Sequence, residues 1–174
     1  MSNLTLFHNG PSTCSQKVRL ILGLKNLTYE SKIIDLQAGE QHGAEYIKLN
    51  PNHVVPTLIC DEKILVESSL ILEFLEDKFP EKSARSNIPE EIHQMRLWMK
   101  TIDAYHIHGG SITYGIGVRN ILILKPKDEL DKEINEIPDL EKRENRRDLI
   151  ENGLEAKCVI CLLYTSPSPR DDEL

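Results

Sequence analysis

Within the first eighty residues the hydrophobic period switches repeatedly between two residues and about 3.6, which leaves few folds open. Leu4-Thr5-Leu6-Phe7 alternates and runs into a Gly-Pro-Ser-Thr turn, the pattern of a strand. Over residues 15–25, Val18, Ile21 and Leu22 recur at helical spacing, and Ser12 or Thr13 is placed to cap that helix. Residues 29–34 are rich in β-formers and predict a second strand, and residues 44–49 a short helix after a polar loop. Residues 57–60 and 64–66 predict two short strands joined by Asp61-Glu62-Lys63 as a hairpin. Ser68 or Ser69 then caps a helix carrying Ile71, Phe74 and Leu75 on one face, which Pro80 ends. The order is β-α-β-α-β-β-α, an α/β domain whose first two strands run parallel across a right-handed crossover.

After the polar residues 81–89, which read as a linker, the period is helical only. Met95, Trp98, Ile102 and Tyr105 form one stripe, which Ile112 and Ile116 extend. Gly109, Gly110, Gly115 and Gly117 weaken that helix and predict a kink or break. Residues 127–137 and 140–154 read as charged, solvent-facing helices. Residues 161–171, CLLYTSPSPRD, show no helical or strand period and resemble translated sequencing-adapter DNA. The stretch from about 158 to 174 is therefore read as a non-native tail. Cys158 and Cys161 lack the second pair of ligands that a metal site needs. His106 and His108 stand two apart, a spacing that puts them on different faces of a helix, so no metal is expected there.

With a formal net charge of −7, nothing global points to a nucleic-acid binder, and a local basic pocket for an acidic ligand stays open. No apolar run is long enough to cross a membrane, and the first residues lack the pattern of a signal peptide, so a cytoplasmic location is expected. Four cysteines without framework spacing agree with that expectation.

Three stretches carry chemistry. Gly-Pro-Ser-Thr-Cys-Ser at 10–15 opens the first helix, where unpaired N–H groups and partial positive charge favour an anion such as a thiolate. Ser12 can donate its O–H to a bound sulfur and lower the thiol's pKa, or serve only as a cap. Cys14 offers a nucleophile of its own or a small core residue; Pro11 and Lys17 stand where a partner cysteine would sit. Val54-Val55-Pro56-Thr57 places a proline directly before a strand, where a cis bond turns the chain and frees Val55 backbone groups for an extended peptide. At Val66-Glu67-Ser68-Ser69, a helix N-terminus suits a carboxylate and Glu67 suits an ammonium, so together they fit an α-amino-acid end.

STCSQKVRLIL, NPNHVVPTL and VESSLILEFLED resemble the three signature stretches of glutathione transferases. The resemblance is strong over residues 3–80 and weaker over 90–157. It implies a thioredoxin-like domain over 1–80 and, over 90–157, an all-helical domain that stops short of the family's usual length. It implies glutathione as co-substrate, with no metal, an electrophilic small molecule as second substrate, and a homodimer in the full-length form. By position, Ser12 matches the serine of the zeta and phi classes that activates glutathione, and Cys14 the cysteine of the beta class. Val55 and Pro56 match the residue and cis-proline that pair with the cysteinyl backbone, and Glu67 and Ser68 the pair that holds the γ-glutamyl end. Gln41 and His42 fall where phi-like members hold the glycine carboxylate. Val54 stands where members often carry a polar side chain. The function so implied is conjugation of the glutathione thiolate to an electrophile. The alternatives are a thiol–disulfide oxidoreductase using Cys14, or a binding module without turnover.

Overall fold

A computed structural model describes residues 3–137 and 139–165, without the side chains of 107–114 and 162–165. The chain divides between Met95 and Arg96 into two compact units.

The first unit holds β1 (Leu4–His8), α1 (Thr13–Leu24), β2 (Glu30–Ile33), α2 (Ala44–Leu49), β3 (Thr57–Cys60), β4 (Lys63–Leu65) and α3 (Ser68–Lys78). The sheet order is β2-β1-β3-β4. β1 runs parallel to β2 and antiparallel to β3, and β3 antiparallel to β4. This is the thioredoxin-like arrangement. Alternation along β1 sends Leu4, Leu6 and His8 to one face and Phe7 to the other. On the first face Leu6 and Leu58 pack with Val18 and Leu22 of α1 and Ile71 and Leu75 of α3. Each of these six is fully buried, worth about 1.5–3 kcal/mol apiece. On the second face Phe7 meets Tyr46 of α2, ring centroids 6.0 Å apart, over a smaller cluster with Ile34 and Val55.

Two sequence expectations shift here. Lys63, read as part of the hairpin connection, is the first residue of β4. Neither Ser68 nor Ser69 caps α3: Ser68 is already helical, and Glu67 occupies the cap position at φ +66° with no side-chain cap bond. The turn out of β4 demands a left-handed residue there, which overrides the local preference for a serine cap.

A turn of 3-10 helix, Pro80–Lys82, opens the segment read as a linker, and α4 spans Pro89–Thr113. Gly109 and Gly110 lie inside α4 without interrupting it. The break comes later, as a π-helical turn at Tyr114–Val118 containing Gly115 and Gly117, followed by α5 (Arg119–Leu122). A Cβ on Gly115 would stand 3.5 Å from the Gly153 backbone, so this turn passes close to the end of α7 (Leu140–Asn152). Arg119 binds the last carbonyls of α7, with Nε 2.8 Å from Ile150 O, where a cation complements the helix dipole. α6 (Lys127–Asn135) contributes the buried Ile134. Residues 157–165, whose end was expected to lack a period, form α8 (Lys157–Thr165), with Cys158 and Val159 buried against Leu149 and Ala156. The Ser-Pro steps of the expected non-native tail and the side chain of His108 lie outside the described residues. On the α4 stripe Trp98 and Ile102 are exposed, while Met95 and Tyr105 are half-buried. No described helix is long and apolar enough to cross a membrane.

Candidate functional site

The strand registers bring the three stretches together. Phe7, near the end of β1, pairs with Thr57 at the start of β3, and Leu58 pairs with Leu65 at the end of β4. The β1–α1 turn, Pro56 and the start of α3 therefore leave the sheet at one edge. Lys17 of α1 donates from Nζ to Ser69 Oγ of α3 at 3.0 Å, a direct tie between the two helix starts.

Ser12 is the N-cap of α1: its Oγ accepts from the Ser15 N–H at 3.2 Å. A hydroxyl that accepts through a lone pair still has its hydrogen to donate, so capping and sulfur binding are compatible roles. Cys14, two residues on in the first turn of α1, is half-buried.

The Val55–Pro56 bond is cis. Both sides of it are held from α2 and the residue after it. The Tyr46 O–H donates to Val54 O at 2.7 Å, and Asn50 Nδ2 donates to the same carbonyl at 2.9 Å. Asn50 also donates to Thr57 Oγ1 at 3.1 Å, which lies 3.0 Å from the Tyr46 oxygen. Since the Tyr46 proton goes to Val54 O, Thr57 is the donor in that last contact. Burial pushes the Tyr46 phenol above its usual pKa, so it stays a donor throughout the neutral range.

Glu67 is exposed and accepts from Asn52 Nδ2 at 3.4 Å, while Ser68 is buried at the first turn of α3. Gln41 and His42 lie in a 3-10 turn, Glu40–His42. Gln41 Nε2 is 3.1 Å from His42 Nε2, and His42 Nδ1 is 2.9 Å from His53 Nδ1. His53 adjoins Asn52 in the chain, so this run of polar side chains leads from Gln41 to Glu67. Gln41 Oε1 is buried with no partner among the described residues. No group of three or more metal-ligating side chains occurs among the described residues.

Sequence reasoning passed over the residues that support this edge. His8 ends the buried side of β1, and a histidine at such a position needs partners, which was the available signal. Arg19 NH1 lies 3.1 Å from His8 Nδ1, and His8 Nε2 lies 2.7 Å from Ser31 Oγ. Arginine has only donors, so Nδ1 accepts and the Nε2–H donates to Ser31, which fixes a neutral imidazole. Burial first, and the Arg19 charge second, hold its pKa below the usual value. Below pH of about 6.5 the unfolded chain takes up a proton that folded His8 refuses. Stability is therefore expected to fall on acidification by up to about 1.4 kcal/mol per pH unit from this residue. Melting at pH 7.5 and 5.5 should show a smaller drop in His8→Gln than in the parent, and equal drops would remove His8 from the account.

A shallow depression lined by Cys60, Asp61, Lys63, Phe74 and Lys78 lies at the opposite, turn end of the β3–β4 hairpin. Burial raises the Cys60 thiol pKa, which keeps it protonated, so this depression has no activated nucleophile.

Residues 11–78 match the family model of the glutathione S-transferase N-terminal domain. Protein LigF of Sphingobium sp. strain SYK-6 is 36% identical over 135 residues, covering 76% of this chain and 52% of LigF. A zeta-class glutathione S-transferase of Euphorbia esula is 40% identical over 94 residues, 54% of this chain and 40% of that protein. The chain thus spans about half the length, or less, of these two relatives. The crystal structure of the LigF beta-etherase superposes with a TM-score of 0.82 at 31% identity, covering 93% of this chain and 68% of that one. A Drosophila mojavensis glutathione transferase homologue, solved with bound glutathione, superposes with a TM-score of 0.51 at 25% identity, over 68% of this chain and 48% of that one. By its matched domain, its strand order and its likeness to LigF over two thirds of that structure, the chain belongs to the glutathione S-transferase family.

Proposed function

We propose that the chain binds glutathione along the shared sheet edge and that the Ser12 hydroxyl stabilises its thiolate for attack on an electrophilic small molecule. The observation that carries this reading is the convergence of the α1 and α3 starts with Pro56 at one edge, tied by the 3.0 Å Lys17–Ser69 bond. In this reading the cysteinyl backbone pairs with Val55 beside the cis Pro56, and Glu67 and Ser68 take the γ-glutamyl end. Gln41 and His42 take the glycine carboxylate through their side-chain N–H groups. The full-length protein is read as a homodimer. The sulfur forms a C–S bond while the bond to the leaving group breaks; the leaving group departs with that electron pair, a halide as the free anion and an ether oxygen taking a proton from water. LigF is named a beta-etherase, so a β-ether is the first electrophile to test beside a generic haloarene.

Calorimetry on the chain tests the ligand. Glutathione should bind saturably, and Ser68→Ala should weaken it about 10- to 100-fold, the worth of a hydrogen bond to a carboxylate. Undiminished affinity in Ser68→Ala would remove the γ-glutamyl assignment, and no binding by the folded parent chain would remove the ligand.

A further inference from the structure

The three residues between β1 and Ser12 have few anchors of their own, and Arg19 supplies them. Its NH1 donates to Asn9 O at 3.0 Å and its NH2 to Gly10 O at 2.9 Å. NH1 also reaches His8 Nδ1 at 3.1 Å, and His8 is fastened through Nε2 to Ser31 of β2. One guanidinium on α1 therefore grips the last residue of β1 and the next two carbonyls of the turn. Asn9 Nδ2 holds the turn from the other side, donating to Ile34 O at 3.0 Å.

The consequence reaches Ser12 through the backbone. Binding the Gly10 carbonyl fixes the Gly10–Pro11 peptide plane, because that unit is rigid. Pro11 comes next, and its ring locks φ. The ψ of Pro11 is then the one soft torsion between the gripped carbonyl and the Ser12 Cα. Past Ser12 the chain is helix, held by the Ser15 N–H on Ser12 Oγ at 3.2 Å. The hydroxyl is thus clamped from both sides, and the clamp on the strand side is Arg19.

We propose that Arg19 is a positioning residue for catalysis: by holding the Asn9 and Gly10 carbonyls it sets where the Ser12 hydroxyl stands toward the glutathione sulfur. The assignment rests on Ser12 being the thiolate ligand. The planar fork matters more than the charge, since two carbonyls and an imidazole nitrogen are reached at once from two adjacent nitrogens. A lysine ammonium is a point charge on a flexible stem and cannot reproduce that span.

The test uses the whole chain as Arg19→Lys, Arg19→Met and Ser12→Ala beside the parent. Three quantities are read: glutathione affinity by calorimetry, the pH titration of bound thiolate by its ultraviolet absorbance, and the melting temperature by circular dichroism. Arg19→Lys should keep affinity within about threefold while its thiolate titration moves up by about one pH unit, about tenfold less thiolate near neutrality. Arg19→Met should shift it at least as far; if that variant does not fold, Arg19→Lys alone decides. A thiolate titration in Arg19→Lys that coincides with the parent overturns the proposal, whatever its melting temperature, because a purely structural residue would move only the melt. If Ser12→Ala shifts the titration and Arg19→Lys does not, Arg19 is eliminated and the Ser12 reading stands. If Ser12→Ala itself titrates with the parent, both fall.

Discussion

Replacing Lys25 by methionine is expected to lower the stability of the first unit by about 3–5 kcal/mol. Lys25 is buried, its side chain 1% exposed, and its ammonium stands 3.1 Å from the Glu76 carboxylate, itself 6% exposed. The same ammonium donates to Phe79 O at 2.8 Å and Lys82 O at 3.0 Å. Glu76 in turn accepts from Ser83 Oγ at 2.9 Å and from the Ala84 N–H at 3.2 Å. One ion pair therefore fastens the end of α1, the last turn of α3 and the chain that leaves it. Methionine keeps most of the stem's packing but removes the charge, leaving a buried carboxylate and two carbonyls short of a donor.

The pH dependence adds a second check. Burial alone would raise the Glu76 pKa, but the bonds from Lys25, Ser83 and Ala84 outweigh it and hold the carboxyl below its usual value. A depressed carboxyl contributes stability above the unfolded pKa and loses it as pH falls through the folded one. In Lys25→Met burial wins, the folded pKa rises above the unfolded one, and stability instead declines as pH rises through that interval. The gap between parent and variant should therefore be widest near neutrality and narrow below about pH 4.5. Replacing both partners, Lys25→Met with Glu76→Leu, should recover part of the loss, since no charge is then left buried alone. Thermal melting followed by circular dichroism reads all of this. A single-variant loss under about 1 kcal/mol would mean the pair is solvated in practice.

The elements that the sequence makes legible are those set by local rules. The period change at residues 10–13, the proline after α3 and the short hairpin each follow from a few adjacent residues, and the parallel pairing of β1 with β2 follows from the helix that joins them. The candidate site is legible in outline for the same reason, because its three stretches sit at the ends of such elements. What stays hidden depends on partners far along the chain. Lys25 and Glu76 are 51 positions apart, and no periodicity links them. Gly115 reads as a helix breaker, yet its place in the structure is a close passage beside Gly153 that only packing can reveal. Glu67 reads as a carboxylate for an ammonium group, set before a serine cap, but the exit from β4 makes it the left-handed residue and puts Ser68 in the helix. Arg19 reads as one more polar residue on an amphipathic helix. Its role appears only once β1 is laid beside α1 and the turn carbonyls point back at it.

Ser12→Ala is expected to cut conjugation about 10- to 100-fold at saturating glutathione, with affinity nearly unchanged. In the proposed binding mode the sulfur loses one hydrogen bond that favours its charged form, while the γ-glutamyl and glycine ends keep theirs. A cap is lost as well, since Ser12 Oγ accepts from the Ser15 N–H, at a cost of about 0.5–2 kcal/mol. Ser12→Gly separates the two effects. Glycine at an N-cap costs only a few tenths of a kcal/mol relative to serine, so it should restore stability and leave conjugation as low as in the alanine variant. If conjugation returned with stability in Ser12→Gly, the hydroxyl would be a cap and nothing more. Cys14→Ala discriminates the disulfide chemistry: in the thiolate reading it retains conjugation within about twofold, within the range of a conservative core change. Loss of activity toward disulfides in Cys14→Ala, with Ser12→Ala unaffected, would transfer the chemistry to Cys14. Saturable binding with no turnover of a β-ether, a haloarene or a disulfide by the parent chain would leave a glutathione-binding module. The Ser12 pair of variants would then still report on thiolate formation through the absorbance of the bound sulfur.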